Sequence, residues 1–249
     1  MTQQLALSLS FRPALEREDF LVSECNEQAV ALIDQWPQWS STAIVLHGPS
    51  GSGKTHLMHV WAARSAAHIL TPDTLIHFDI GLLQDDTIKA IAIEDIDKAL
   101  SARLPASKSE PANNIEATQD ALFHIYNSMK NKGGHILILS EQPMNRLDIA
   151  LPDLRSRLMG SPHIGIHAPD DDLLGGLLLK LFRDRQLIVM PDALQYCLSR
   201  MERNFDDARL LVERIDSLSL AEKRRITIPL IRTIFDAQEK QRQASLPID

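Results

Sequence analysis

The stretch GPSGSGKT (48–55) constrains this chain more than any other. It fits G-x-x-x-x-G-K-[ST], and its flanks fit as well. The apolar run AIVLH (43–47) precedes it and reads as a buried strand, and helix-forming sequence follows. Gly48, Gly51 and Gly53 let the backbone turn through conformations closed to other residues. Successive N–H groups and the start of the helix then face an anion. In such a loop Lys54 reaches the β- and γ-phosphates and Thr55 ligates Mg²⁺. The expected ligand is therefore ATP or ADP with Mg²⁺, held by Gly48, Pro49, Ser50, Gly51, Ser52, Gly53, Lys54 and Thr55. The bland alternative is a chance glycine-rich turn, and the strand-loop-helix context argues against it.

A loop of this kind needs a carboxylate on a neighbouring strand. AIAIEDID (90–97) supplies Glu94, Asp95 and Asp97 at a strand end. Counting from the apolar run makes Glu94 the metal-side residue and Asp95 the water-side one. The other register makes Asp95 the metal residue. A longer side chain at the metal position and a shorter one at the base position predict weak hydrolysis. His56 and His59 lie i,i+3 on the helix after the loop, without further ligands nearby in sequence, so helix-face or packing roles are expected. His124 and His135 read the same way.

Further apolar runs read as strands: TLIHFD (74–79), AIAIED (90–95), HILILS (135–140) and HIGIH (163–167). Helical patterns separate them, notably EATQDALFHIYNSMKNK (116–132). Strands alternating with helices argue for a parallel sheet covered on both faces. After Pro169 four amphipathic helical patterns follow, with Asp170 to Asp172 where a helix N-terminus favours negative charge. ARLPASKSEPANN (102–114) reads as an exposed insertion loop. The expected division is an N-terminal peptide over 1–12, an α/β nucleotide-binding domain over 13–168, an all-helical lid over 169–240 and a loose tail over 241–249.

The net charge of −7 argues against free-standing DNA binding, because phosphate neutralisation supplies most of such affinity. Arg183, Arg185, Arg200 and Arg203 read as a solvated helix face. Cys25 and Cys197 show no metal or redox spacing, which points to a reducing, cytoplasmic setting. No apolar run is long enough for a bilayer, and the start lacks the marks of a secretory signal. Near the N-terminus, QLALSLSF (4–11) alternates apolar and small residues. That pattern suits an edge strand or an extended recognition peptide, and alternation alone does not choose.

Several stretches resemble the DnaA-related AAA+ family. GPSGSGKTHLMHVWA resembles its nucleotide loop and helix, and TQDALFHIYN (118–127) the helix after its Walker B strand. DFLVSECNEQAVALI (19–33) resembles the segment that frames the adenine, which implies Phe20, Leu21 and Val22. LILSEQP (137–143) occupies the sensor 1 position, with Ser140 or Glu141 near the γ-phosphate, and LPDLRSRL (151–158) resembles the box carrying an arginine finger, here Arg157. The resemblance implies an α/β fold: a P-loop AAA+ core with a parallel five-stranded sheet between helices, and a C-terminal helical lid. QLALSL resembles the peptide by which replication proteins dock on the β sliding clamp of DNA polymerase III, with Gln4, Leu5, Leu7 and Leu9 as anchors. A short tail, an AAA+ core and a lid with nothing after it is the layout of the Hda-type regulatory inactivators.

That layout implies docking on the DNA-loaded clamp and stimulation of ATP hydrolysis by DnaA, with Arg157 supplied in trans. One element departs from the family pattern. Asp206 stands where the sensor 2 arginine is usual, and Arg209, one turn on, is expected to reach the nucleotide from the same side. With the Glu94–Asp95 order, this predicts weak intrinsic ATPase activity and ADP as a structural ligand. Expected partners are the clamp, DnaA and a second copy of the chain that hides the peptide, with no strong direct DNA binding and no membrane. The rival readings are an adaptor that recruits an initiator or helicase without stimulating hydrolysis, and a stand-alone P-loop ATPase.

Overall fold

A computed structural model describes residues 22–100, 111–222 and 224–244. Gln4, Leu5, Leu7, Leu9, Phe20 and Leu21 lie outside the described residues. Five strands form one parallel sheet: β1 (Ala43–His47), β2 (His68–Leu70), β3 (Ala90–Ile93), β4 (His135–Ser140) and β5 (His163–Gly165), in the order β2-β3-β4-β1-β5. Alternate residues of β1 serve opposite faces. Ala43 and Val45 join one core, Ile44 and Leu46 the other. That is the period-two geometry of a sheet buried on both sides.

Helices α1 (Glu27–Asp34) and α2 (Lys54–Ser65) cover one face. Trp61 of α2 is fully buried there and stacks on Trp39 with ring centroids 5.2 Å apart. The other face carries α3 (Pro72–Ile76), α4 (Ile96–Leu100), α5 (Pro111–Asn131) and α6 (Pro152–Met159). Because all strands run the same way, the loops after β1, β3 and β4 emerge at one edge, where ligands of open α/β sheets bind.

β1, β3, β4 and β5 fall inside the apolar runs that the sequence marks. The second strand does not. TLIHFD (74–79) is not a strand; β2 is the shorter run just before it. Thr71 accepts from the Thr74 N–H and Thr74 Oγ1 accepts from the Thr71 N–H, and Pro72 occupies the first turn. That reciprocal cap starts α3 and stops the strand at Leu70. Pro111–Asn114, expected in the insertion loop, begin α5 instead.

The helical lid comprises α7 (Asp171–Asp184), α8 (Pro191–Arg200), α9 (Phe205–Glu222) and α10 (Ile228–Ala244). Asp170 caps α7 by accepting from the Leu173 N–H at 2.7 Å. Leu178, Phe182, Cys197, Val212, Ile215 and Leu230 lie at its centre. Burial pushes the Cys197 thiol up to about 12, so it behaves as a small hydrophobe. No described helix is long and apolar enough to cross a membrane.

Candidate nucleotide site and arginine-bearing helix

The loop after β1 turns through Gly51 and Gly53, both at positive φ (68° and 92°), and Gly53 leads into α2. At Gly48 a side chain would meet the Ile166 carbonyl oxygen at 2.1 Å, so only glycine fits. Lys54 is buried at 6% exposure. Its ammonium donates to the Gly48 and Pro49 carbonyls at 2.7 and 2.9 Å. Burial pulls its pKa below the ordinary value, against the pull of Glu141, Asp95 and Asp97. Ser52 Oγ, also in this loop, is buried without a hydrogen-bond partner.

Thr55 Oγ1 donates to Glu94 Oε1 at 3.0 Å. The loop hydroxyl and the first strand-end carboxylate therefore meet. Asp95 takes a different path. Its backbone is left-handed (φ 47°) and its carboxylate pairs with Lys98 at 2.5 Å. Asp97 accepts from the Glu141 N–H at 3.0 Å. Ser140 is fully buried, and its hydroxyl donates to the Gln142 carbonyl at 2.6 Å, so it braces its own turn. His47 ends β1 beside these groups, paired in register with Ser140 and Gly165. Burial first, then His163, His167 and Lys54, lower its pKa. The placement of His47 has no mark in its local sequence, because its neighbours come from β4, β5 and beyond.

These donors fit a magnesium nucleotide. A buried cation, a buried hydroxyl without a partner and a glycine-built loop suit phosphate oxygens, and a hydroxyl beside a carboxylate suits Mg²⁺. Thr55 and Glu94 would hold the ion, which supplies neutralisation of phosphate charge when bound. Among the described residues no group of three or more His, Cys, Asp or Glu side chains could hold a metal by itself.

Val22 is exposed. Arg209 pairs with Asp206 at 3.3 Å on the exposed start of α9, so the arginine expected at the nucleotide engages the residue one turn before it. Arg157 sits on α6, which packs against α5 and the turn at Met144–Arg146. Its guanidinium lies over the rings of Phe123 (4.6 Å) and Tyr126 (5.4 Å) of α5, and its Nη1 is buried without a hydrogen-bond partner. TQDALFHIYN contains both rings, but only the fold puts them under the arginine. Of the lid arginines expected on a solvated face, Arg203 is exposed and pairs with Asp171 and Arg200 lies over Tyr196, whereas Arg185 is mostly buried beside Asp216.

Residues 177–235 match the family described as Hda, lid domain. The chromosomal replication initiator protein DnaA of Thermomicrobium roseum is 26% identical over 254 aligned residues, covering 92% of this chain and 52% of that protein. The chain spans about half the length of the curated relatives it matches. Among solved structures, domain III of Thermotoga maritima DnaA aligns with a TM-score of 0.71 and 15% identity, covering 88% of this chain and 95% of that one. AMPPCP-bound DnaA from Aquifex aeolicus aligns with a TM-score of 0.67 and 18% identity, covering 93% and 71%.

Proposed function

We propose, from the premise that this chain is a DnaA-related AAA+ protein with an Hda-type lid, that it regulates replication initiation by switching off DnaA. In this reading the N-terminal peptide Gln4, Leu5, Leu7 and Leu9 docks on the DNA-loaded β sliding clamp. Docking raises the local concentration of the chain for nearby initiator. Its AAA+ body then packs against ATP-bound DnaA, and Arg157 completes the hydrolytic site of that partner. Arginine fingers supplied in trans accelerate such reactions by roughly 10³–10⁵. The initiator is left with ADP.

Arg157 is the observation that supports this reading most. It combines the family motif with a guanidinium seated on aromatic faces and a buried N–H group without an acceptor. An arginine spent on its own fold would be expected to have carboxylate or carbonyl partners. The chain's own nucleotide is read as ADP or ATP with Mg²⁺, bound at the loop after β1 and turned over slowly. Asp95 supports slow turnover, since its carboxylate is paired with Lys98.

The test is the rate of ATP hydrolysis by purified ATP-loaded DnaA with this chain added, with and without clamp on DNA. Stimulation should require the clamp, vanish in Arg157→Ala, and vanish when Gln4 and Leu5 are both replaced by Ala. Stimulation undiminished in Arg157→Ala would overturn the finger and favour the adaptor reading.

A further inference from the structure

We infer that the start of α9 is a positioning element for the nucleotide loop: the Asn204–Phe205 junction of the lid fixes the Gly51 peptide and thereby sets how firmly the loop holds a nucleotide. The inference rests on the reading of GPSGSGKT as the nucleotide site.

The backbone N–H of Phe205 donates to the Gly51 carbonyl at 2.8 Å, which ties the lid to the loop main chain to main chain. The first N–H groups of a helix lack partners within it. Here one of them is satisfied by the loop. The approach is close because residue 51 has no side chain. A Cβ there would meet Asn204 Cβ at 2.7 Å and Oδ1 at 2.9 Å. Asn204 is itself fixed: its Oδ1 accepts from the Asp207 N–H at 2.7 Å, and its Nδ2 donates to Asp207 Oδ2 at 2.9 Å. Phe205 is anchored in the lid core, 8% exposed.

A peptide group is planar and trans, so its C=O and N–H point in opposite directions. Holding the Gly51 carbonyl toward the lid therefore turns the Ser52 N–H back into the loop, where it meets the Pro49 carbonyl at 3.3 Å. A loop that binds phosphate depends on its amides facing inward. The lid thus fixes the Gly51–Ser52 peptide and, with it, the turn that closes on Pro49, independently of the Asp206 and Arg209 side chains one and four residues further on.

Phe205→Pro and Phe205→Ala separate this role from packing. Both remove the ring, but only proline removes the N–H, and proline is well tolerated at the first position of a helix. Release of a fluorescent ADP analogue should be about two- to tenfold faster from Phe205→Pro than from Phe205→Ala, the worth of one hydrogen bond, with matched melting temperatures. Equal release rates would overturn the inference. Amide exchange of the unaltered protein with ADP present provides a second arm that needs no variant. The Phe205 N–H should exchange slowly, and exchange as fast as that of an open helix end would overturn the inference. Failure of the unaltered protein to bind ADP would remove the nucleotide reading as well, whereas binding with equal release from the two variants removes only the lid's role.

Discussion

Lys54 and Arg157 are both cations drawn partly out of water, and the chain holds them in different ways. Lys54 is committed to two carbonyls of its own loop. Arg157 rests on two ring faces, and its buried Nη1 has no hydrogen-bond partner. On the proposed reading, the partnered ammonium at the start of α2 serves the site this chain keeps for itself. On the same reading, the stacked guanidinium serves a site that another molecule completes.

Removing Arg157 tests the comparison most severely. Arg157→Ala should lower stimulation of DnaA hydrolysis by about 10³, measured as single-turnover loss of bound ATP, while ADP binding by the variant stays unchanged. Lys54→Met should do the reverse. It should weaken ADP binding by about 10- to 100-fold in an equilibrium titration, as loss of charge-assisted hydrogen bonds does. If Arg157→Ala weakened the chain's own ADP binding as much, the two cations would belong to one site and the contrast would fail.

The seat sharpens the comparison at smaller scale. Tyr126→Leu should reduce stimulation by about two- to thirtyfold, and Tyr126→Phe, which keeps the ring, should restore it. Arg209→Ala should change ADP affinity by less than about fivefold, because its pair with Asp206 is exposed. The smallest effect appears only in a pH series. His47 titrates below its usual 6.5 in the fold, so the unfolded chain takes up the proton first. Stability from the neutral ring is present above that pH and is lost as pH falls through it. The melting temperature should fall more steeply on acidification in the unaltered protein than in His47→Gln.

Local features explain what the sequence could tell. HILILS matches β4 residue for residue, because a fully buried strand has little besides apolar residues to show. The loop at 48–55 was legible because its chemistry is contiguous. TLIHFD misled because its apolar residues suit a strand, whereas the reciprocal hydrogen bonds of Thr71 and Thr74 decide the matter. Contacts between distant segments were not legible. Thr55 meets Glu94 across 39 residues of chain, and Gly51 meets Phe205 only once the lid has folded. Lys98, which engages Asp95, stands in plain view in AIAIEDIDK, yet the left-handed backbone that presents the carboxylate to it has no mark in the residue types.

The stack of Trp39 on Trp61 has an optical consequence. All three tryptophans of the chain, Trp36, Trp39 and Trp61, belong to the layer that α1 and α2 form on the sheet, and none lies in the lid. Tryptophan emission, excited where tyrosine does not absorb, therefore reports on that layer alone, while far-ultraviolet dichroism, dominated by helices, sees the lid as well. Heating the protein under both lights gives two curves from one sample, and any gap between them is the interval in which the lid and the sheet part company.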